Sequence, residues 1–218
     1  YLQKRNKYVI EQDSFFEIPG NCFSYWLSAR AISNFSKGKQ LKEIAEIRQG
    51  LATSDNNRFL RLWNEVNYNH IDFNSNNTIE AKERNFRWFP FNKGGEYRKW
   101  YGNQEYIVDY LNDGKAMKDN VLKKYPYLST PDFVVKNTAF YFLESITWTE
   151  ITSSTFGVRY CPPCSIFSNK SNSIFPKTKD ELYYLIGVLC SKPINLYIKA
   201  LNPTITTNVG DVAKVPII

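Results

Sequence analysis

The chain has 218 residues, 28 Lys and Arg against 21 Asp and Glu, a formal net charge of +7, and 43% apolar and 16% aromatic residues. That apolar content supports a buried core and excludes a disordered tail. No apolar run approaches the length of a membrane span, the polar stretch Tyr1–Gln12 lacks the core of a signal peptide, and the basic balance favours a polyanionic partner.

In chain order, Tyr8 to Ile18 reads as extended and ends at the Pro19-Gly20 turn. Phe23 to Phe35 reads as a short helix with Trp26, Ala29 and Ile32 near one face. Leu41 to Gln49 suits a strand or a short helix, and Gly50 to Asn57 is a polar loop. A strand is expected within Arg58 to Val66, followed by an Asn-rich surface loop over Asn67 to Asn77. Phe86 to Phe91 is an aromatic strand, Glu105 to Leu111 a strand in which Tyr106, Val108 and Tyr110 alternate, and Asn112-Asp113-Gly114 a turn. Lys115 to Tyr125 reads as an amphipathic helix closed by Pro126. Ile146 to Ile151, Phe156 to Tyr160 and Ser165 to Phe167 read as three short strands. Thr178-Lys179-Asp180-Glu181 has the capping-box pattern, and Leu182, Leu185, Ile186 and Leu189 follow one helical face. Pro193 opens a second helix striped by Ile194, Tyr197, Ile198 and Leu201. The expected fold is mixed α/β: a single domain over residues 1–218, a twisted mixed sheet of short strands with packed helices, and two helices near the C-terminus.

The most informative segment is Asn92-Lys93-Gly94-Gly95-Glu96-Tyr97-Arg98-Lys99-Trp100-Tyr101-Gly102-Asn103. It holds three cations, three flat rings and three glycines. Glycines let a backbone approach a partner closely, cations meet phosphates, and Arg and Asn match base edges. The same composition also fits a turn flanked by core aromatics. Candidate DNA-binding residues are Asn56, Arg58, Arg61, Asn92, Lys93, Arg98, Lys99, Trp100, Tyr101 and Arg159, within a wider cationic set that includes Arg84, Arg87 and Lys170.

Other chemistry is sparse. Cys161-Pro162-Pro163-Cys164 is a lone CxxC, better read as a turn with reduced thiols than as half a zinc site. His70 is the only histidine and sits in a polar loop. Glu96, Glu105 and Asp109 with Lys93 lack the spacing of a nuclease metal site. The Pro-Pro pair is flanked by cysteines, which supply neither the acceptor nor the ring that holds a flipped base, so no methylation site is expected here. No catalytic, cofactor or metal residues are assigned. A nuclease and a protein-interaction module stand as alternatives to DNA recognition.

Taken together, Gly50 to Val66, Arg87 to Asn103, Asn112-Asp113-Gly114, Thr147-Trp148, Phe156 to Tyr160, Asn202-Pro203-Thr204 and Gly210-Asp211-Val212 through Pro216 form a series. It resembles the C-terminal half of the large adenine-specific DNA methyltransferases of BREX phage-defence systems and of type IIG restriction–modification enzymes. It is also similar to the specificity subunits of type I restriction enzymes. The resemblance runs from about Phe16 to Ile218. It implies a target recognition domain for double-stranded DNA in a cytoplasmic protein, with no membrane partner. It places S-adenosylmethionine and the catalytic motif in a preceding methyltransferase domain of the same chain. The lack of an initial Met fits an excised piece, with residues 1–40 as a linker from that domain. Ser54 departs from the glycine that family members often carry in this loop, and serine enters positive φ less freely.

Overall fold

A computed structural model describes residues 8–218. The first seven residues of the expected linker lie outside the described residues. Gln12–Glu17 forms a 3-10 helix rather than an extended segment. The first α-helix, α1, is Ala29–Lys37. It starts six residues later than the pattern suggests, because Ser28 accepts a hydrogen bond from the Ala31 N–H and so sets the N-cap. Its buried face is Ala31, Ile32 and Phe35, while Trp26 and Ala29 stay exposed.

Both readings of Leu41 to Gln49 are realised in sequence. After β1 (Lys39–Gln40) come α2 (Leu41–Ile44) and β2 (Glu46–Arg48). A single turn, α3 (Asn56–Phe59), then leads into β3 (Leu60–Leu62). The Asn-rich run ends in an unanticipated helix, α4 (Thr78–Arg84), capped by the Asn77 side chain on the Glu80 N–H. Next come β4 (Trp88–Asn92), β5 (Tyr106–Asp109) and α5 (Leu111–Lys124), in which Asn112, Asp113 and Gly114 are left-handed as the turn requires. The remaining elements are β6 (Ser145–Trp148), β7 (Val158–Cys161), β8 (Ile166–Phe167), β9 (Ser173–Phe175), α6 (Lys179–Leu189), α7 (Lys192–Leu201), α8 (Val209–Val212) and β10 (Pro216–Ile217). The Thr178–Glu181 capping box opens α6, and Pro193 sits in the first turn of α7.

The mixed α/β expectation holds. The strands are shared between a four-stranded sheet of order β2-β9-β6-β7, a second of order β3-β5-β4-β8, and the β1-β10 ribbon. Within the four-stranded sheets every pairing is antiparallel except β4 with β8. Helices α1, α6 and α7 cover one face of the first sheet around Ile146, Trp148, Val158 and Ile174. The second sheet shares a core with α4 and α5 around Phe59, Phe89, Val108, Met117 and Val121. Strand β9 sends Ile174 into the first core and Phe175 into the second, so it joins the two.

The other face of the first sheet is polar. The Thr147 and Ser171 hydroxyls share a hydrogen bond of 2.6 Å, and the Ser171 Oγ donates to Asn92 Oδ1 at 2.6 Å. Asn172 Nδ2 and Lys170 Nζ both donate to the buried Glu150 carboxylate. A second layer of chain, including the start of the glycine-rich segment, therefore covers this face and turns it into an interior.

Candidate nucleic-acid interface

Strands β4 and β5 are joined by the glycine-rich segment, which leaves the second sheet where Leu62, Tyr106 and Phe91 align. It reaches across to the first sheet, where the Trp100 N–H donates to Val158 O and the Tyr160 N–H donates to Trp100 O, each at 2.9 Å. The ribbon turns through Gly94, Gly95, Trp100, Gly102 and Asn103, all at positive φ. A Cβ at Gly94 would lie 2.8 Å from the Lys170 carbonyl, so that turn needs glycine for space as well as for φ.

At the same end of the sheet, Asn56, Arg61 and Lys93 line one open groove of about 410 Å³, together with Asn57, Glu65 and Tyr106. Helix α3 presents Asn56 and Asn57, β3 presents Arg61, and the end of β4 leads into Lys93. Arg61 Nη1 folds back on the carbonyls of Asn57 and Leu60 at 2.7 and 2.6 Å, and its guanidinium lies 5.8 Å from the Trp88 ring centroid. Lys93 Nζ sits 4.3 Å over the Tyr106 ring. Arg58 is exposed, reaching Asn120 Oδ1 at 3.3 Å. Arg98, Trp100 and Tyr101 are exposed on the ribbon, and the Tyr101 hydroxyl donates to Gln104 Oε1 at 3.0 Å.

Charge compensation sorts the cations. Among the described residues, no carboxylate lies within ion-pair distance of Arg58, Arg61, Lys93 or Arg98. Three of the wider set are spoken for: Arg84 pairs with Asp72, Arg87 with Asp109 and Lys170 with Glu150, at 2.8–2.9 Å. Burial raises the Asp72 carboxyl, but hydrogen bonds from Ser75, the Asn74 N–H and Arg84 outweigh it and hold the group below the usual carboxylate range. Glu65 is the acid inside the groove, and its carboxylate is engaged by the Leu62 N–H at 2.6 Å.

Three expected contact residues are placed differently. Asn92 is buried, with its oxygen tied to Ser171. Lys99 Nζ donates to the Cys190 carbonyl at 2.7 Å. Arg159 is 1% exposed; its Nη1 donates to Thr149 Oγ1 at 3.2 Å, and Nε and Nη2 have no partner among the described residues. Desolvation lowers its guanidinium pKa to about 10, with Cys161 and Glu105 opposing weakly. These three side chains are directed at the protein's own interior instead of outward. The interior cation should weaken the fold at every pH below that value and be relieved only above it, because the folded state then binds fewer protons than the unfolded one. Arg159→Met is expected to raise stability by about 1–3 kcal/mol, read as a higher urea midpoint with an unchanged slope.

Ser54 adopts φ 58°, so the serine occupies the left-handed conformation that the loop demands. Ser54→Gly removes that strain, and thermal or urea unfolding should show a gain of about 1 kcal/mol. The groove also contains Asn57 and Tyr106, which sequence reasoning missed. Tyr106 was visible only as an alternating strand residue, and nothing local marked it as the platform under Lys93.

The four cysteines carry free thiols, no group of three His, Cys, Asp or Glu is placed to hold a metal ion, and no helix is long and apolar enough to cross a membrane, all among the described residues. His70 is exposed at the end of a short 3-10 turn.

No family model matches the chain. It is 34% identical over 211 residues to an adenine-specific methyltransferase, PglX, of Lacticaseibacillus casei (strain Zhang), covering 96% of this chain and 17% of that protein. It is 35% identical over 210 residues to an adenine-specific methyltransferase, BrxX, of Escherichia coli O9:H4 (strain HS), covering 95% of this chain and 16% of that protein. The chain thus spans about one-sixth of the length of these curated relatives. It is homologous to one segment of these two large adenine-specific methyltransferases.

Proposed function

We propose that this chain is the double-stranded DNA recognition module of an adenine-specific DNA methyltransferase from a bacterial restriction–modification or BREX-type phage-defence system. The observation that carries the reading is the alignment of nearly the whole chain with a single segment of two adenine-specific methyltransferases. The groove, lined by Arg61 and Lys93, and the exposed Arg58 and Arg98 outside its lining support it. Uncompensated cations at Arg58, Arg61, Lys93 and Arg98 would neutralise phosphates and set the register of the duplex. Asn56 and Asn57, at the start of α3, carry amides suited to base edges. The ribbon would bring Trp100 and Tyr101 alongside.

Methyl transfer is assigned to the remainder of the parent polypeptide, which would hold S-adenosylmethionine. The Pro-Pro turn here offers thiols where a base-holding site needs an amide or carboxylate acceptor, so these residues do not fit that chemistry. Selection from a randomised duplex pool tests the assignment: the chain should enrich one short motif. Enrichment of no motif would remove the recognition role.

A second reading concerns another face. Phe16 and Phe23 are 65% and 76% exposed, beside exposed Tyr25 and Trp26. Such a cluster suits docking to another part of the parent protein. Phe23→Ser should then weaken association with the remainder of the parent while leaving duplex binding intact.

A further inference from the structure

The Cys-Pro-Pro-Cys turn, which the DNA reading leaves without a role, walls a cavity of about 220 Å³ between β4 and the β7–β8 connection. Asn92 and Gln104, which bracket the glycine-rich ribbon, both line it. The Asn92 oxygen accepts from Ser171 and the Gln104 oxygen accepts from Tyr101. Their amide nitrogens are buried and meet no oxygen acceptor among the described residues. Asn92, 2% exposed, faces only the weakly accepting Cys161 thiol. The remaining walls are chiefly the flat apolar faces of Phe73, Pro90 and Pro162, with Ser165 as a further polar residue, and among the described residues no carboxylate lines the space.

We propose that this cavity is a binding site for a carbonyl-bearing pyrimidine ring, of the thymine and uracil type. Two carbonyl oxygens would satisfy the two orphaned N–H donors, whose burial without acceptors is otherwise unfavourable. The proline and phenylalanine faces would sandwich the plane. An amine-bearing base would bring donors to walls without a carboxylate to receive them. The ring could come from a free nucleoside or from a thymine displaced from a duplex lying in the neighbouring groove. Only the second source rests on the DNA reading.

The test titrates the 218-residue chain with thymidine and with deoxyadenosine up to about 10 mM, followed by calorimetry or NMR shifts. Gln104→Glu keeps the oxygen that receives Tyr101 and replaces the N–H donor with an acceptor. Asn92→Asp does the same at the buried position, and circular dichroism checks that each variant folds. Saturable thymidine binding, weakened about tenfold or more in Gln104→Glu and not matched by deoxyadenosine, is the expected result. Absence of saturation, equal binding of both nucleosides, or an unchanged folded Gln104→Glu would overturn the site. Two further arms assign the source. Preference for a duplex with one unpaired thymine over its fully paired counterpart, lost in Gln104→Glu, supports the displaced base. Thymidine binding without that preference supports the free nucleoside. Failure of both duplexes with thymidine binding intact contradicts the DNA reading alone.

Discussion

Reversing two charges, Lys93→Glu with Arg98→Glu, should reduce duplex affinity by about 100-fold or more at about 50 mM salt. Both side chains are free of carboxylate partners among the described residues; Lys93 stands where the ribbon leaves the second sheet, and Arg98 lies further along the ribbon beside Gly102. Each loses a counterion-releasing contact, so the plot of log affinity against log salt should become shallower by about 2. The fold should be nearly untouched. Arg98 is exposed, and Lys93 gives up only its approach to the Tyr106 ring, a loss of about 1 kcal/mol or less. Reversing Lys170 instead would strand the buried Glu150, and the effect should appear in stability before it appears in binding. Gel-shift or fluorescence-anisotropy titrations over a salt series, run beside urea unfolding, separate the two behaviours.

Gly50→Ala is expected to be the most damaging small substitution. A Cβ at this position would sit 1.9 Å from the Phe167 carbonyl oxygen and 2.7 Å from Phe167 Cδ2. The backbone is held there by the Leu51 N–H bond to that same carbonyl, at 3.1 Å. Neither partner can retreat, because Phe167 belongs to β8 and is buried against Tyr141 and Phe175. The expected cost is about 4 kcal/mol or more, lowering the melting temperature by roughly 10 °C. Gly187→Ala in α6 provides the contrast. Among the described residues nothing beyond the helix's own backbone lies within 4 Å of its added methyl, so helix propensity acts and a gain of about 0.5–1 kcal/mol is expected. Equal stability of the two variants would show that the seam between Gly50 and β8 is looser than the geometry implies.

Much of the architecture was legible in the sequence where local chemistry is strong. The Thr178 capping box with its apolar stripe, the left-handed turn at Asn112 to Gly114, and the alternation of Tyr106 and Val108 each correspond to an observed element. Helix α4 was hidden because it buries only Ala81 and so carries no periodic stripe; its signal was the Asn77 cap inside an Asn-rich run. Strands β9 and β10, at three and two residues, are too short for any period to show.

The site was legible as composition and not as arrangement. Whether an arginine is free depends on partners far along the chain, such as Asp72 for Arg84 and Asp109 for Arg87, which no local pattern reveals. Arg159 shows the same limit. In β7 it alternates with Val158 and Tyr160, which face the first core, and alternation alone puts it on the outside. The polar layer from Asn92 to Asn172 closes over that face and makes the outside an interior.

The most direct measurement is the affinity of the chain for a mixed-sequence duplex as salt is varied. With Arg58, Arg61, Lys93 and Arg98 meeting phosphates, log affinity should fall against log salt with a slope of about −3.6. A slope near zero, or no saturable binding at about 50 mM salt, would contradict the account.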